Sequence, residues 1–227
     1  MIPKSKSTRL LQPGDSIVFD GDSLTSRRLR PNLDTWPYLR LMNWDGSYAD
    51  RVADWLFCNR PDLRLTFHQA AIGGSIASEC LARYEVSVKP HKPAWVVMTI
   101  STNDHNRHVP LKEFEAALTE YARRLKQDSG GRMMILGGFK PFPFLAVNKP
   151  EFRERSTYYR ALQKIMRQQD GLYVDVGTPL FQKAQQLYKL WPGHTLYSDG
   201  CHLNAVGNEI MTAQVLQALG VLTLTEA

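Results

Sequence analysis

Residues 16–28 read SIVFDGDSLTSRR. The apolar residues Ile17, Val18 and Phe19 are followed at once by Asp20-Gly21-Asp22-Ser23, and arginines come soon after. The apolar run has the length and side chains of a strand buried on both faces. Such a strand, ending in two carboxylates, a glycine and a serine, leaves its sheet through a tight polar turn. Ser23 is open to three readings there: a turn residue, the N-cap of a following helix, or a nucleophile. Serine is a preferred cap, and caps are far commoner than nucleophiles. Taken alone, Ser23 reads as a cap, and a nucleophilic role requires a base from elsewhere in the chain.

Four more short apolar runs follow: RLTFH (64–68), AWVVMTI (94–100), RMMILGG (132–138) and LYVDV (172–176). All five runs are expected to be strands buried on both faces. Helical patterns lie between and after them. Residues 46–57 put Tyr48, Val52, Trp55 and Leu56 on one stripe, and residues 111–127 do the same with Phe114, Leu118, Tyr121 and Leu125. Residues 155–168 and 205–219 continue the series. Strand–helix alternation of this kind predicts an α/β fold with a five-stranded parallel sheet and helices on both faces. A length of 227 residues, with no internal repeat and no linker, suits one domain spanning 1–227.

Hydrophobic residues make up 43% and charged residues 22%, which excludes a disordered or fibrous chain. The net charge of +6 is spread out, its densest cluster being Arg27-Arg28-Leu29-Arg30. No recognition motif accompanies it, so a nucleic-acid partner is not expected. The charge implies at most a mild attraction to anions. Cys58, Cys80 and Cys201 are odd in number and widely spaced, which suggests neither a disulfide framework nor a zinc knuckle. Free thiols suit a reducing compartment. The opening MIPKSKSTRLLQPGD carries charge but no apolar core of a secretory signal. The longest apolar stretch, 94–100, is too short to span a membrane. A cytoplasmic protein without a membrane span is the expectation, and homo-oligomerisation stays open.

Ligands of open parallel sheets bind beyond the C-terminal strand ends. Polar residues gather there: Asp20-Gly21-Asp22-Ser23 after the first strand, residues 69–75 after the second, and Ser101-Thr102-Asn103-Asp104-His105 after the third. Ser198-Asp199-Gly200-Cys201-His202 comes just before the last helix. His202 is the candidate base for Ser23, and Asp199, three residues earlier, can hold its Nδ1–H. The Gly73-Gly74 pair lets backbone approach a substrate, and Asn103 offers a side-chain amide to an oxyanion. Each feature also has a plain structural reading: a surface turn capped by Asn204, a glycine turn, an asparagine turn. Two proline-broken stretches, 24–44 and 139–150, have the length of functional loops, and the first, directly after the opening motif, is expected to wall the same site.

Taken together, these four blocks resemble the SGNH, or GDSL, hydrolase family. Gly21-Asp22-Ser23-Leu24 is that family's first block, residues 69–75 resemble the second, Thr102-Asn103-Asp104 the third, and Asp199-Gly200-Cys201-His202 the closing D-x-x-H. The resemblance implies a flavodoxin-like three-layer α/β/α fold and ester hydrolysis through an acyl-enzyme, with no metal or other cofactor. It implies Ser23 as nucleophile, His202 as general base and then acid, and Asp199 as its orienting group. The oxyanion hole it implies is formed by the Ser23 N–H, the Gly74 N–H and the Asn103 side chain. Two departures stand out: Ser101 replaces the glycine that usually opens the third block, and Gln69 replaces the asparagine of the second.

The alcohol side of the substrate is less constrained. The chain looks most like the carbohydrate-esterase members, which often remove acetyl groups from sugars. Trp36 and Phe142, with Tyr38, Trp44 and Phe144, could stack on a sugar or line an acyl pocket, although ordinary packing explains such rings as well. Arg27 and His105, with Arg28, Arg107 and His108, are candidate rim contacts, and Asp22 a further substrate contact. Asp20 and Asp22 are expected to shape their turn through local hydrogen bonds. Three rival readings remain: an acyltransferase on the same scaffold, a metal-dependent phosphoesterase using Asp20, Asp22, Asn103, His105 and His202, and a non-catalytic binding module.

Overall fold

In the computed structural model, which describes residues 10–26, 46–139, 150–191, 196–198 and 202–223, the opening apolar run becomes β1 (Ser16–Gly21). Every residue of β1 after Ser16 is buried. β3 (Trp95–Thr99) is wholly buried, and β4 (Arg132–Gly137) is buried beyond its first residue. β2 (Thr66–Gln69) and β5 (Leu172–Asp175) depart from the expectation of burial on both faces. No residue of either strand is fully buried. They are the two edges of a sheet ordered β2-β1-β3-β4-β5, and an edge strand is covered from fewer directions. All pairings are parallel, with Gly21 opposite Thr99 at the C-terminal end of the β1–β3 pair.

The strand order reverses between β1 and β3, so the connections that follow those strands part to opposite sides. This opens a crevice between the two strand ends, which is where the first and third sequence blocks emerge.

Helices cover both faces. α1 (Tyr48–Asn59) packs against α7 (Ala205–Ala218), which also meets α6 (Gly177–Leu190). α2 (Ala77–Ser87) packs against α4 (Leu111–Ser129), which also meets α5 (Pro150–Gln168). The short α3 (Thr102–Asn106) follows β3. The expected stripe Phe114, Leu118, Tyr121 and Leu125 is entirely buried in α4. In α1 the stripe holds for Tyr48, Val52 and Leu56, while Trp55 is only half-buried. The sequence patterns left α2 and α6 unassigned. The buried residues of α2 are Ala77, Cys80 and Tyr84, with Arg83 beside them, so no clean apolar stripe marks that helix. No helix among the described residues is long and apolar enough to cross a membrane.

Candidate active site

The turn after β1 is built by Asp22 rather than Ser23. The Asp22 carbonyl accepts from the N–H groups of Thr25 and Ser26, and its Oδ1 accepts from the N–H of Leu24 at 3.0 Å. The carboxylate therefore fixes a turn, and no helix begins within the described residues 22–26 for Ser23 to cap. Ser23 is left half-exposed in the second position of the turn that Asp22 opens.

Asp22 is only 2% exposed, so the expected contact between its side chain and substrate is not available. It ends instead a buried relay of hydroxyls. Thr99 Oγ1 donates to Asp22 Oδ1 at 2.6 Å, Thr25 Oγ1 lies 2.8 Å from Thr99 Oγ1, and Tyr48 Oη lies 2.9 Å from Thr25 Oγ1. An ionised carboxylate can only accept, which orders the relay from Tyr48 toward Asp22. The Thr25 carbonyl in turn accepts from Ser47 Oγ and from Gln69 Nε2 at 3.0 Å, while Gln69 Oε1 accepts the N–H of Ala71. The glutamine that departs from the family pattern thus ties the second block to the first.

Burial pushes the Asp22 carboxyl up to about 6, against the opposing pull of the hydrogen bonds from Thr99 and Leu24. A carboxyl raised in the folded state stabilises the fold fully below its unfolded pKa, and that contribution is lost as pH rises through the folded value. Wild type should therefore lose stability relative to Asp22→Asn between about pH 4 and pH 7, by up to about 3 kcal/mol. Urea unfolding of both proteins across that range measures the difference, and a difference that does not change with pH would refute the assignment.

The second block forms a tight turn in which the Ser75 N–H donates to the Ile72 carbonyl at 3.2 Å. Gly74, at φ +82°, takes the position of a type II turn that favours glycine, and its N–H stays outside the turn's hydrogen bond. The loop is fixed to β1 through Ala70 N–H to the Phe19 carbonyl and Ile72 N–H to the Gly21 carbonyl. Gly73 lies beside the serine: a Cβ added there would stand 3.6 Å from Ser23 Cβ.

Asn103 lies in α3, and its Nδ2 donates to the Ser75 carbonyl at 3.1 Å. An amide nitrogen carries two protons, so one remains for a ligand. Asp104, wholly buried, accepts the N–H of Ala77 at 2.9 Å and so caps α2. Ser101, at the usual glycine position, has φ +104°, a conformation that strains any residue with a Cβ. It is fully buried and its hydroxyl has no hydrogen-bond partner. Its effect is thus on backbone strain at the start of α3.

The fourth block comes from the far end of the chain. Tyr197 and Leu203 form an antiparallel bridge, the Ser198 N–H donates to the His202 carbonyl at 2.8 Å, and Asn204 caps α7 by accepting the N–H of Gly207. This brings His202 Nε2 to 2.8 Å from Ser23 Oγ, across 179 positions of sequence. Asp199 lies outside the described residues, as do Arg27, Arg28, Trp36, Tyr38, Trp44, Phe142, Phe144 and Cys201. His105 is half-buried, edge-on to Tyr158 at 6.0 Å, with Nδ1 3.2 Å from Asn106 Oδ1 and Nε2 buried.

Asp20 also differs from expectation. Besides the local bond from the Gly21 N–H, it is held from far along the chain by Arg83 and by Tyr121 Oη at 2.8 Å. Sequence reasoning missed Arg83, Thr25 and Thr99. Arg83 was detectable in principle, because Cys80, Arg83 and Tyr84 share one helical face and a charge on a buried face requires a partner. Among the described residues no three His, Cys, Asp or Glu side chains converge to hold a metal.

Comparison with known proteins gives the family and the fold. Residues 14–210 match the GDSL-like lipase/acylhydrolase family. An acetylxylan esterase from Geobacillus stearothermophilus is 26% identical over 227 residues, covering 91% of this chain and 94% of that protein. The crystal structure of Axe2, an acetylxylan esterase from the same organism, matches with a TM-score of 0.74 at 24% identity, covering 92% of this chain and 96% of that one. LAE5, an α/β hydrolase enzyme from the metagenome of Lake Arreo, matches with a TM-score of 0.76 at 22% identity, covering 95% and 99%. Solved forms of Axe2 include catalytic mutants in which a serine, an aspartate or a histidine is replaced by alanine. The likeness to these structures establishes the α/β fold, and the family match extends over most of the chain. The chain belongs to the GDSL-like lipase/acylhydrolase family and is, with it, a carboxylic ester hydrolase.

Proposed function

We propose that the protein hydrolyses short acyl esters, chiefly acetyl esters of carbohydrates, through a covalent acyl-Ser23 intermediate. The observation that carries this reading is the 2.8 Å contact between His202 Nε2 and Ser23 Oγ. It is the nucleophile–base distance that acyl transfer requires.

In this reading His202 takes the Ser23 proton as Oγ attacks the ester carbonyl carbon. The oxyanion that forms is met by the N–H groups of Ser23 and Gly74 and by the second Asn103 amide proton. His202 returns its proton to the leaving alcohol, and water then deacylates Ser23 by the same steps reversed. Asp199, three residues before His202 in the sequence, is the group assigned to hold the other imidazole nitrogen. The acetyl preference and the carbohydrate alcohol rest on the acetylxylan esterase relative.

Two measurements test the reading. A fluorophosphonate probe should add its mass to the peptide that contains Ser23 and stop turnover, while EDTA leaves turnover unchanged. Initial rates on acetylated xylo-oligosaccharides should exceed those on esters of longer acyl chains. Labelling at another residue would sink the serine assignment, and a preference for long acyl chains would sink the substrate class.

A further inference from the structure

We infer that Arg83 is a positioning residue for the oxyanion side of the site, acting through Ser75 on the Asn103 amide; this rests on the reading of Asn103 as an oxyanion donor. Arg83 reaches up from α2 beneath the site, its side chain only 10% exposed. Its Nε and Nη2 donate to Asp20 Oδ1 at 3.1 and 2.5 Å, and Nη2 also donates to the Gly21 carbonyl at 3.0 Å. Both atoms it binds there belong to the end of β1, immediately before the turn that carries Ser23. Tyr121 Oη and the Gly21 N–H supply the remaining donors to the Asp20 carboxylate.

Neutralising Asp20 occupies only part of the guanidinium. Nη1 turns away from Asp20 and donates to Ser75 Oγ at 2.9 Å. Ser75 is buried, and its carbonyl accepts the Nδ2 proton of Asn103 at 3.1 Å. A carbonyl can only accept, so the Ser75 oxygen selects which end of the Asn103 amide faces it. Flipping the amide would set Asn103 Oδ1 against the Ser75 oxygen. The Ser75 carbonyl therefore fixes the amide plane and, with it, the direction of the second N–H. Arg83 holds Ser75 in place relative to the end of β1. One rigid fork thus sets the distance between the nucleophile turn and the loop of Gly74 and Ser75.

A lysine at this position can carry the charge for Asp20 but lacks the planar fork that spans Asp20, Gly21 and Ser75 together. The outer side of the loop is held separately, by Arg107 Nη1 on the Gly74 carbonyl at 3.4 Å and on Glu79 at 3.0 Å. That pair is exposed and is expected to matter less.

Ser75→Ala removes the Nη1 contact and leaves the Arg83–Asp20 ion pair intact. With p-nitrophenyl acetate, kcat should fall about 10- to 100-fold, because small displacements of a positioned donor cost that much. KM and the urea unfolding midpoint should stay near those of wild type. Arg83→Lys should lower kcat at least as far, and the double variant should be no slower than Arg83→Lys alone, because both act on one linkage. The side-chain amide resonances of Asn103, assigned by their loss in Asn103→Asp, should shift in both single variants. A Ser75→Ala variant with kcat within about 2-fold of wild type, additive losses in the double variant, or unmoved Asn103 amide resonances would each overturn the proposal. The resonances do not depend on turnover. If the acyl-Ser23 reading fails, seen as retained hydrolysis in Ser23→Ala, they still decide whether Arg83 orients Asn103. If Arg83→Lys does not fold, Ser75→Ala decides alone.

Discussion

Ser23→Ala should abolish ester hydrolysis and leave the protein folded. The kcat/KM for p-nitrophenyl acetate should drop by at least about 10⁴-fold, the scale on which removal of a catalytic serine acts. The Ser23 hydroxyl lies 2.8 Å from His202 Nε2, and it is half-exposed. The turn around it is held by other groups: the Asp22 carboxylate and carbonyl, and the Thr25 carbonyl gripped by Ser47 and Gln69. Removing one oxygen there should shift the unfolding midpoint by no more than a few degrees. Turnover close to that of wild type would exclude Ser23 as the nucleophile.

Gly21→Ala should have the largest effect on stability, about 3–5 kcal/mol. Gly21 has φ +111°, and a Cβ added to it would lie 2.1 Å from the Thr99 carbonyl oxygen. That oxygen cannot move away freely, because Thr99 is the register partner of Gly21 and its carbonyl accepts the Asp22 N–H at 3.1 Å. The clash therefore falls on the β1–β3 pairing and on the Ser23 turn together. Urea unfolding should show a strongly lowered midpoint. A loss below about 1 kcal/mol, the usual size for a point substitution, would show that the backbone relaxes there.

The sequence patterns identify the five strands because each is a short run rich in apolar residues, and α1 and α4 because their buried residues recur at helical spacing. The patterns are weaker where packing departs from them. β5 (LYVD) is as apolar as an inner strand over its first three residues, so nothing local marks it as an edge, whereas the polar Thr66, His68 and Gln69 of β2 do depart from the inner strands. α2 places an arginine and small residues on its inner face, so it lacks the periodicity that reveals α4. At the site, the four blocks stand in the right order, and Ser23 and His202 can be named from them. Ser23 itself reads as a cap, since a serine after a strand is locally indistinguishable from one. In the structure the turn is fixed instead by the neighbouring Asp22, which is buried and bonded to Leu24 and Thr99.

By itself, the sequence determines an α/β chain of the GDSL-like family and the candidate groups of its four blocks, because apolar periodicity and short motifs are local properties. Only the tertiary structure decides which groups meet. His202 reaches Ser23 across 179 positions, and Arg83 is 63 positions from the carboxylate it neutralises. Contacts of that range arise from strand order and helix packing, since burying a charge or a hydroxyl is tolerable only where the fold brings it a partner.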